Sequence, residues 1–84
     1  MQIVFSQNAW EDYLYWEGNN QNIFKQLNLL FKEIQVEPYK GNNDPIALFY
    51  AWKGYYSRRL NLRHRLVYKV EKKKIFVVQC KYIY

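Results

Sequence analysis

The chain has 84 residues, half of them apolar and a fifth aromatic, and carries a formal net charge of +6. A body this small buries only about 60% of the surface its unfolded chain would expose, so one domain spanning residues 1–84 is expected, with no room for a second core. The aromatic content excludes a disordered chain, no apolar run approaches the roughly 20 residues of a bilayer span, and Met1 to Phe5 lacks the order of a secretion signal, so a cytoplasmic protein without membrane contact is expected.

Gln2 to Phe5 reads as a short strand, and Ser6 as an N-cap whose hydroxyl can accept from a free amide of the first helical turn. Trp10, Tyr13 and Leu14 then follow helical spacing and predict an apolar stripe, which Glu17 ends. Gly18 suits a left-handed closing turn. A second helix from Asn20 to Gln35 aligns Ile23, Leu27, Leu30, Phe31 and Ile34 on one face, and the short connection makes the two helices an antiparallel pair.

From Val36 to Gly54 the periodicity is lost, and Pro38, Gly41, Asn42, Asn43 and Pro45 punctuate a long loop of the kind that often carries function. Beyond it Tyr56–Leu60, His64–Val70 and Ile75–Tyr82 read as strands, the last two joined by a tight charged turn at Glu71 to Lys74. Alternation puts Leu66, Tyr68 and Val70 on a helix-facing side and Arg65, Val67 and Lys69 on the other. By the same reading Ser57 and Arg59 oppose Tyr56 and Leu60, and Gln79 and Lys81 oppose Val78, Cys80 and Tyr82. The expected fold is α+β, with two N-terminal helices on one face of a small, mainly antiparallel twisted sheet whose other face is basic and open.

The charge is unevenly distributed. Residues 1–51 hold three Lys against six acidic residues, whereas residues 52–84 hold ten Lys and Arg against Glu71 alone. A polyanion-facing surface is the functional reading of such asymmetry, and a solvated basic face is the bland one. Arg59, Arg65 and Lys81 come from three strands and are expected to converge on one patch, where the planar fork of Arg suits phosphate. Trp52, Tyr55 and Tyr84 interleave aromatic rings with these cations, a combination that binds single-stranded nucleic acid by stacking and charge neutralisation. Cys80 has no partner for an internal disulfide, and one His without a Cys partner offers none of the usual zinc spacings, so neither metal nor other cofactor is expected.

Gly54 to Leu60 (Gly-Tyr-Tyr-Ser-Arg-Arg-Leu), His64 to Tyr68 (His-Arg-Leu-Val-Tyr), Cys80-Lys81-Tyr82 and the terminal Tyr84 together resemble the YoeB-type toxins of the RelE-like superfamily. Trp10 to Trp16 is similar to that family's first helix, and the resemblance runs end to end. It implies a RelE-like fold and a toxin that enters the ribosomal A site and cuts mRNA without a metal. The 2′-hydroxyl of a nucleotide would attack its own 3′-phosphate while an Arg neutralises the developing charge and paired groups act as base and acid. Arg65 matches the phosphate-stabilising Arg and Tyr84 the terminal catalytic Tyr, with Arg59, Lys81, Lys53 and Arg58 as RNA-binding cations. The resemblance further implies a cognate antitoxin with an acidic C-terminal tail, and a homodimer.

Two segments depart from the family pattern. Ile83 stands where it carries His, and Pro45-Ile46-Ala47-Leu48-Phe49 replaces a Pro-Glu-Pro-Leu-Lys loop, so the implied acid, base and a basic residue are missing. Acid and base groups contribute about 100 to 10,000-fold each, so slowed cleavage is expected, with a non-cleaving binding protein as the alternative. Asp44, two residues before Ile46, reads first as a solvated turn residue and second as a carboxylate able to swing in. His64 reads as a satisfied core or edge residue turned away from Arg65, and Cys80 as buried and inert.

Overall fold

The structure is a computed structural model and describes residues 1–82. In chain order it comprises β1 (Gln2–Phe5), α1 (Gln7–Asn19), α2 (Gln21–Val36), β2 (Ile46–Ala47), a short 3-10 turn (Tyr50–Trp52), β3 (Tyr56–Arg59), β4 (Arg65–Glu71) and β5 (Lys74–Gln79). The strands form one sheet in the order β1-β5-β4-β3-β2, antiparallel throughout except where β1 runs parallel to β5. The α+β architecture with both helices on one face is as expected from sequence.

Ser6 caps α1 as its sequence predicts, its hydroxyl accepting from the Ala9 amide at 3.0 Å. The same residue joins helix to sheet, because its amide donates to the Val77 carbonyl at 2.9 Å. Helix α1 does not close at Gly18. It runs one residue further, and Asn20 serves both helices, its amide donating to the Trp16 carbonyl and its side chain accepting from the Ile23 amide at 3.1 Å. One extended residue therefore replaces the left-handed glycine turn.

The α2 face is the one its periodicity predicts: Ile23, Leu27, Leu30, Phe31 and Ile34 are all buried, each contributing about 1.5–3 kcal/mol. Helix α1 differs. Its buried residues are Ala9 and Trp16, while Trp10 and Leu14 are exposed, so the inward face is rotated from the Trp10-Tyr13-Leu14 stripe. The cause is docking by hydrogen bonds. Trp16 Nε1 donates to the Cys80 carbonyl at 2.8 Å, and the carboxylate of Asp12 accepts from the Cys80 amide at 3.1 Å. These contacts set the roll of a helix whose apolar residues are spread around its circumference.

In the sheet, Leu66, Tyr68, Ile75 and Val77 join the helix-side core, as alternation on β4 predicts. A register shift at Val67/Tyr68, where Gln79 and Val77 face neighbouring residues of β4, inserts one extra residue in β5. Such a bulge reverses alternation, so Val77 and Cys80 are both buried on the core side. The turn after β4 places Lys72 and Lys73 at positive φ of 52° and 60°, a tight hairpin with the twist that suits adjoining strands.

The stretch read as a long loop contains β2 and the 3-10 turn. Its two-residue strand is too short to carry a periodic signal, and it forms because Ile46 and Ala47 find partners in Ser57 and Tyr56.

Candidate phosphate-binding site

Strand register sets the site. Arg59 on β3 lies opposite Arg65 on β4, and one alternation further Ile46, Ser57, Val67 and Gln79 form a row across β2, β3, β4 and β5. Both rows belong to the sheet face opposite the helices. That face is less open than its sequence suggests, for Ser57, Val67 and Leu48 are buried there without joining the helix-side core.

Arg65 itself is buried, its side chain only 7% exposed. Its Nε donates to the Ser57 hydroxyl, and Nη2 donates to the carbonyls of Asp44 at 2.7 Å and Ser57 at 3.2 Å. Nη1 hydrogen-bonds to no other described residue and faces the Asp44 carboxylate at 3.5 Å. The guanidinium is thereby fixed in orientation, and among the described residues its Nη1 meets no more than this loose ion pair. Arg59 is half-exposed, and its Nη2 lies 3.5 Å from the same Asp44 oxygen.

Asp44 is held by the backbone around it. The Arg59 amide donates to the Asn43 carbonyl at 2.6 Å and Asn43 Nδ2 returns a bond to the Arg59 carbonyl at 2.7 Å. Asn43 and Asp44 both occupy the left-handed region, at φ 67° and 55°, which Asn and Asp tolerate better than other side chains.

Arg58 is misassigned by its sequence reading. Its side chain is 0% exposed, and its five N–H groups are met by the Tyr68 hydroxyl, Glu33 and the carbonyls of Asn42, Glu37 and Lys40, at 2.8–3.2 Å. It fastens the loop after α2 to the sheet and has no donor left for RNA. The loop is shaped to permit this. A Cβ on Gly41, at φ +117°, would stand 1.9 Å from Glu33 Oε1. Asn42 completes the arrangement, and its amide hydrogen bond is the main reason that the Glu33 carboxyl is held below its ordinary range, followed by the pairing with Arg58.

Lys81 does not join the Arg59–Arg65 pair either. Its Nζ sits 3.6 Å over the ring of Tyr15 on α1 and 5.2 Å from that of Tyr82. Regular alternation fails there because β5 ends at Gln79 and the chain bends, with Tyr82 at φ 67°. Lys53 is exposed at the far end of the β2–β3 hairpin, on the order of 15–20 Å along the strand from Arg59 at about 3.3 Å per residue. Tyr55 lies between, with the Lys69 ammonium 5.2 Å from its ring and the Trp52 ring at 5.2 Å. Tyr84 and Ile83 lie outside the described residues.

His64 is engaged as a structural group, turned toward α1 as alternation predicts. Its Nδ1 accepts from the Tyr82 amide at 2.7 Å and its ring stands edge-on to Trp16 at 4.8 Å. Burial, then the charges of Arg63 and Lys81, push its pKa below the ordinary value. Cys80 is fully buried, and burial pushes its thiol up to about 12, which removes it as a nucleophile. Sequence reading took Asp44 first as a solvated turn residue, and the structure pairs it with Arg59 and Arg65; Ser57, the hydroxyl that orients Arg65, was missed. The parity shared by Ser57 and Arg65 was the available signal.

Comparison with known proteins identifies the family of the chain. The sequence model described as "YoeB-like toxin of bacterial type II toxin-antitoxin system" matches residues 5–84. Toxin YoeB of Escherichia coli K12 is 36% identical over 84 residues, covering 100% of both chains, and Toxin YoeB of Streptomyces coelicolor is 38% identical with the same coverage. Among solved structures, the YoeB/ParE toxin from Agrobacterium tumefaciens superposes with a TM-score of 0.96 at 30% identity over 100% of both chains. The YoeB-YefM complex from Staphylococcus aureus gives 0.92 at 42% identity, over 100% of this chain and 98% of the other. With the full chain matched in sequence and in fold, the protein belongs to the YoeB-like toxins of bacterial type II toxin-antitoxin systems.

Proposed function

We propose that this toxin is a metal-independent, ribosome-dependent mRNA endoribonuclease that inhibits translation in the cytoplasm. The observation that carries the reading is the Arg65 guanidinium, buried and oriented by Ser57 and the Asp44 carbonyl, whose Nη1 lies 3.5 Å from the same Asp44 carboxylate oxygen as Nη2 of a second cation, Arg59. A preorganised donor of this kind stabilises charge that develops in a transition state without reorganising at the moment of reaction. The scissile phosphate binds at Nη1, the neighbouring 2′-hydroxyl attacks it, and Arg65 neutralises the added negative charge. Arg59 holds a phosphate oxygen, while Lys53, with Tyr55 and Trp52, contacts a more distant part of the strand. Tyr84 completes the catalytic set by its resemblance to the family's terminal Tyr.

The partners of the reading are the ribosomal A site with its mRNA, and an antitoxin whose acidic C-terminal tail covers the basic face. The Staphylococcus aureus relatives described as a YoeB-YefM complex and a YoeB dimer support an antitoxin partner and a homodimer.

One observation favours a second reading. Ile46, 41% exposed, lies opposite Ser57 in the row next to Arg65, so the place that the resemblance gives to a carboxylate base is apolar, as is Ile83 at the acid. A protein that occupies the A site or its antitoxin without cutting would have this composition. Primer extension on mRNA in an antitoxin-free translation reaction separates the two readings. Cleavage in the A-site codon, dependent on the ribosome and insensitive to a chelator, is expected; ribosome binding with intact mRNA would establish the binding protein instead.

A further inference from the structure

We infer that Asp44 is the general base of this cleavage, taking the proton of the attacking 2′-hydroxyl in place of the carboxylate missing at Ile46; the inference rests on the endoribonuclease reading. A general base must come within hydrogen-bond reach of its proton, about 2.6–3.2 Å. The 2′-oxygen in turn lies within about 3–3.5 Å of the phosphorus it attacks. The base therefore has to stand beside whatever binds the phosphate. Asp44 does. One carboxylate oxygen is 3.5 Å from both Arg65 Nη1 and Arg59 Nη2, and its main-chain carbonyl is bonded to Arg65 Nη2 at 2.7 Å.

Three features separate Asp44 from an ordinary turn residue. Its backbone is fixed, by the paired bonds between Asn43 and Arg59 and by the contact with Arg65, so the carboxylate is delivered to one place. Its side chain is 55% exposed and thus open to a substrate. The ion pairs are also loose: 3.5 Å exceeds the roughly 2.7–2.9 Å of a charge-assisted hydrogen bond, so neither guanidinium is saturated. A phosphate oxygen can enter between the two arginines and leave the carboxylate at its edge, on the ribose side.

The other acids that the structure engages are committed elsewhere. Glu33 is bound by Arg58 and Asn42, Glu71 pairs with Lys69, and Asp12 accepts from the Cys80 amide beside α1. His64 has given Nδ1 to Tyr82. In the step itself, the Asp44 carboxylate accepts the 2′-hydroxyl proton as the 2′-oxygen bonds to phosphorus. The bond from phosphorus to the 5′-oxygen breaks, that oxygen takes a proton from water, and Asp44 returns its own proton to the hydroxide so formed. The products are a 2′,3′-cyclic phosphate and a 5′-hydroxyl, with no net change in protons.

The test is single-turnover cleavage of mRNA on programmed ribosomes without antitoxin, comparing the parent with Asp44→Asn and Asp44→Glu. Loss of a general base predicts a fall of about 100-fold or more for Asp44→Asn, with affinity for the programmed ribosome unchanged or tighter, since a negative charge has been removed from the phosphate site. Asp44→Glu should keep part of the rate. Asp44→Asn cutting as fast as the parent or faster would overturn the inference, because the carboxylate would then merely compete with phosphate. So would a loss of affinity matching the loss of rate. A parent that binds programmed ribosomes yet leaves mRNA whole, or cuts equally well with a 2′-deoxynucleotide at the attacked position, would sink the endoribonuclease reading and the base with it.

Discussion

Two buried arginines sit on opposite faces of one sheet, and among the described residues only one of them has every N–H group met by an acceptor. Arg58 points to the helix side, where its five N–H groups all meet protein acceptors. Arg65 points to the other side, where Ser57 and Asp44 engage Nε and Nη2 and leave Nη1 with only a loose ion pair. Burial alone therefore does not separate a structural cation from a functional one. The unfilled donor does, since an anion gains nothing from a guanidinium already saturated.

Chemistry gives the largest expected contrast between the two. Arg65→Ala should abolish growth inhibition and cleavage, because the remaining guanidinium beside Asp44, that of Arg59, is half-exposed and held only by a loose ion pair. Because Arg65 is buried and hydrogen-bonded rather than a surface residue, the variant should also lose about 1–3 kcal/mol of stability through unsatisfied partners. Arg58→Ala should cost more, about 3–5 kcal/mol, since it takes the cation from Glu33, which keeps only its bonds from Asn42, and the donors from the Tyr68 hydroxyl and three carbonyls. Urea midpoints read both losses. Equal midpoint shifts for the two variants would remove the distinction between saturated and open arginines.

A gain of function sharpens the same contrast. With Arg65 in place, Ile83→His should raise cleavage by about tenfold or more, as an imidazole can protonate the leaving 5′-oxygen near neutral pH. Adding Ile46→Glu should raise it further, and neither change should help a chain that also carries Arg65→Ala. No acceleration in the single and double variants would show that the missing acid does not limit the rate.

Arg59 offers a smaller, electrostatic measure. Each phosphate contact to a single strand changes log affinity by about 0.7 per log unit of salt, so Arg59→Ala should flatten the slope of ribosome or RNA binding by about that amount. Arg58, with no donor free, should leave the slope unchanged in any conservative variant that still folds.

The smallest expected effect is on pH dependence. The depressed pKa of His64 means that the folded protein binds its proton less readily than the unfolded chain, so the contribution is complete above the unfolded value of about 6.5 and is lost as pH falls through the folded value. Melting temperature should therefore decline on acidification below about pH 6.5, and His64→Gln should reduce that decline. An identical profile in the variant would detach the transition from His64.

Composition and local pattern by themselves determined much of the protein. The clean spacing of Ile23 to Ile34 set the buried face of α2, Ser6 set the start of α1, and alternation in β4 separated Leu66 and Tyr68 from Arg65. These features are legible because each depends on residues close in sequence. Tertiary structure alone decided the rest. The roll of α1 follows the hydrogen bond that Trp16 donates to Cys80 and the one that Asp12 accepts from it, more than 60 residues away, and the alternation of β5 is reset by a bulge that only its pairing with β4 reveals. Arg58 and Arg65 look equivalent in sequence because a guanidinium's availability depends on acceptors brought to it from distant segments. Glu33, Glu37, Lys40 and Asn42 close around one, while Ser57 and Asp44 hold the other and leave an edge free.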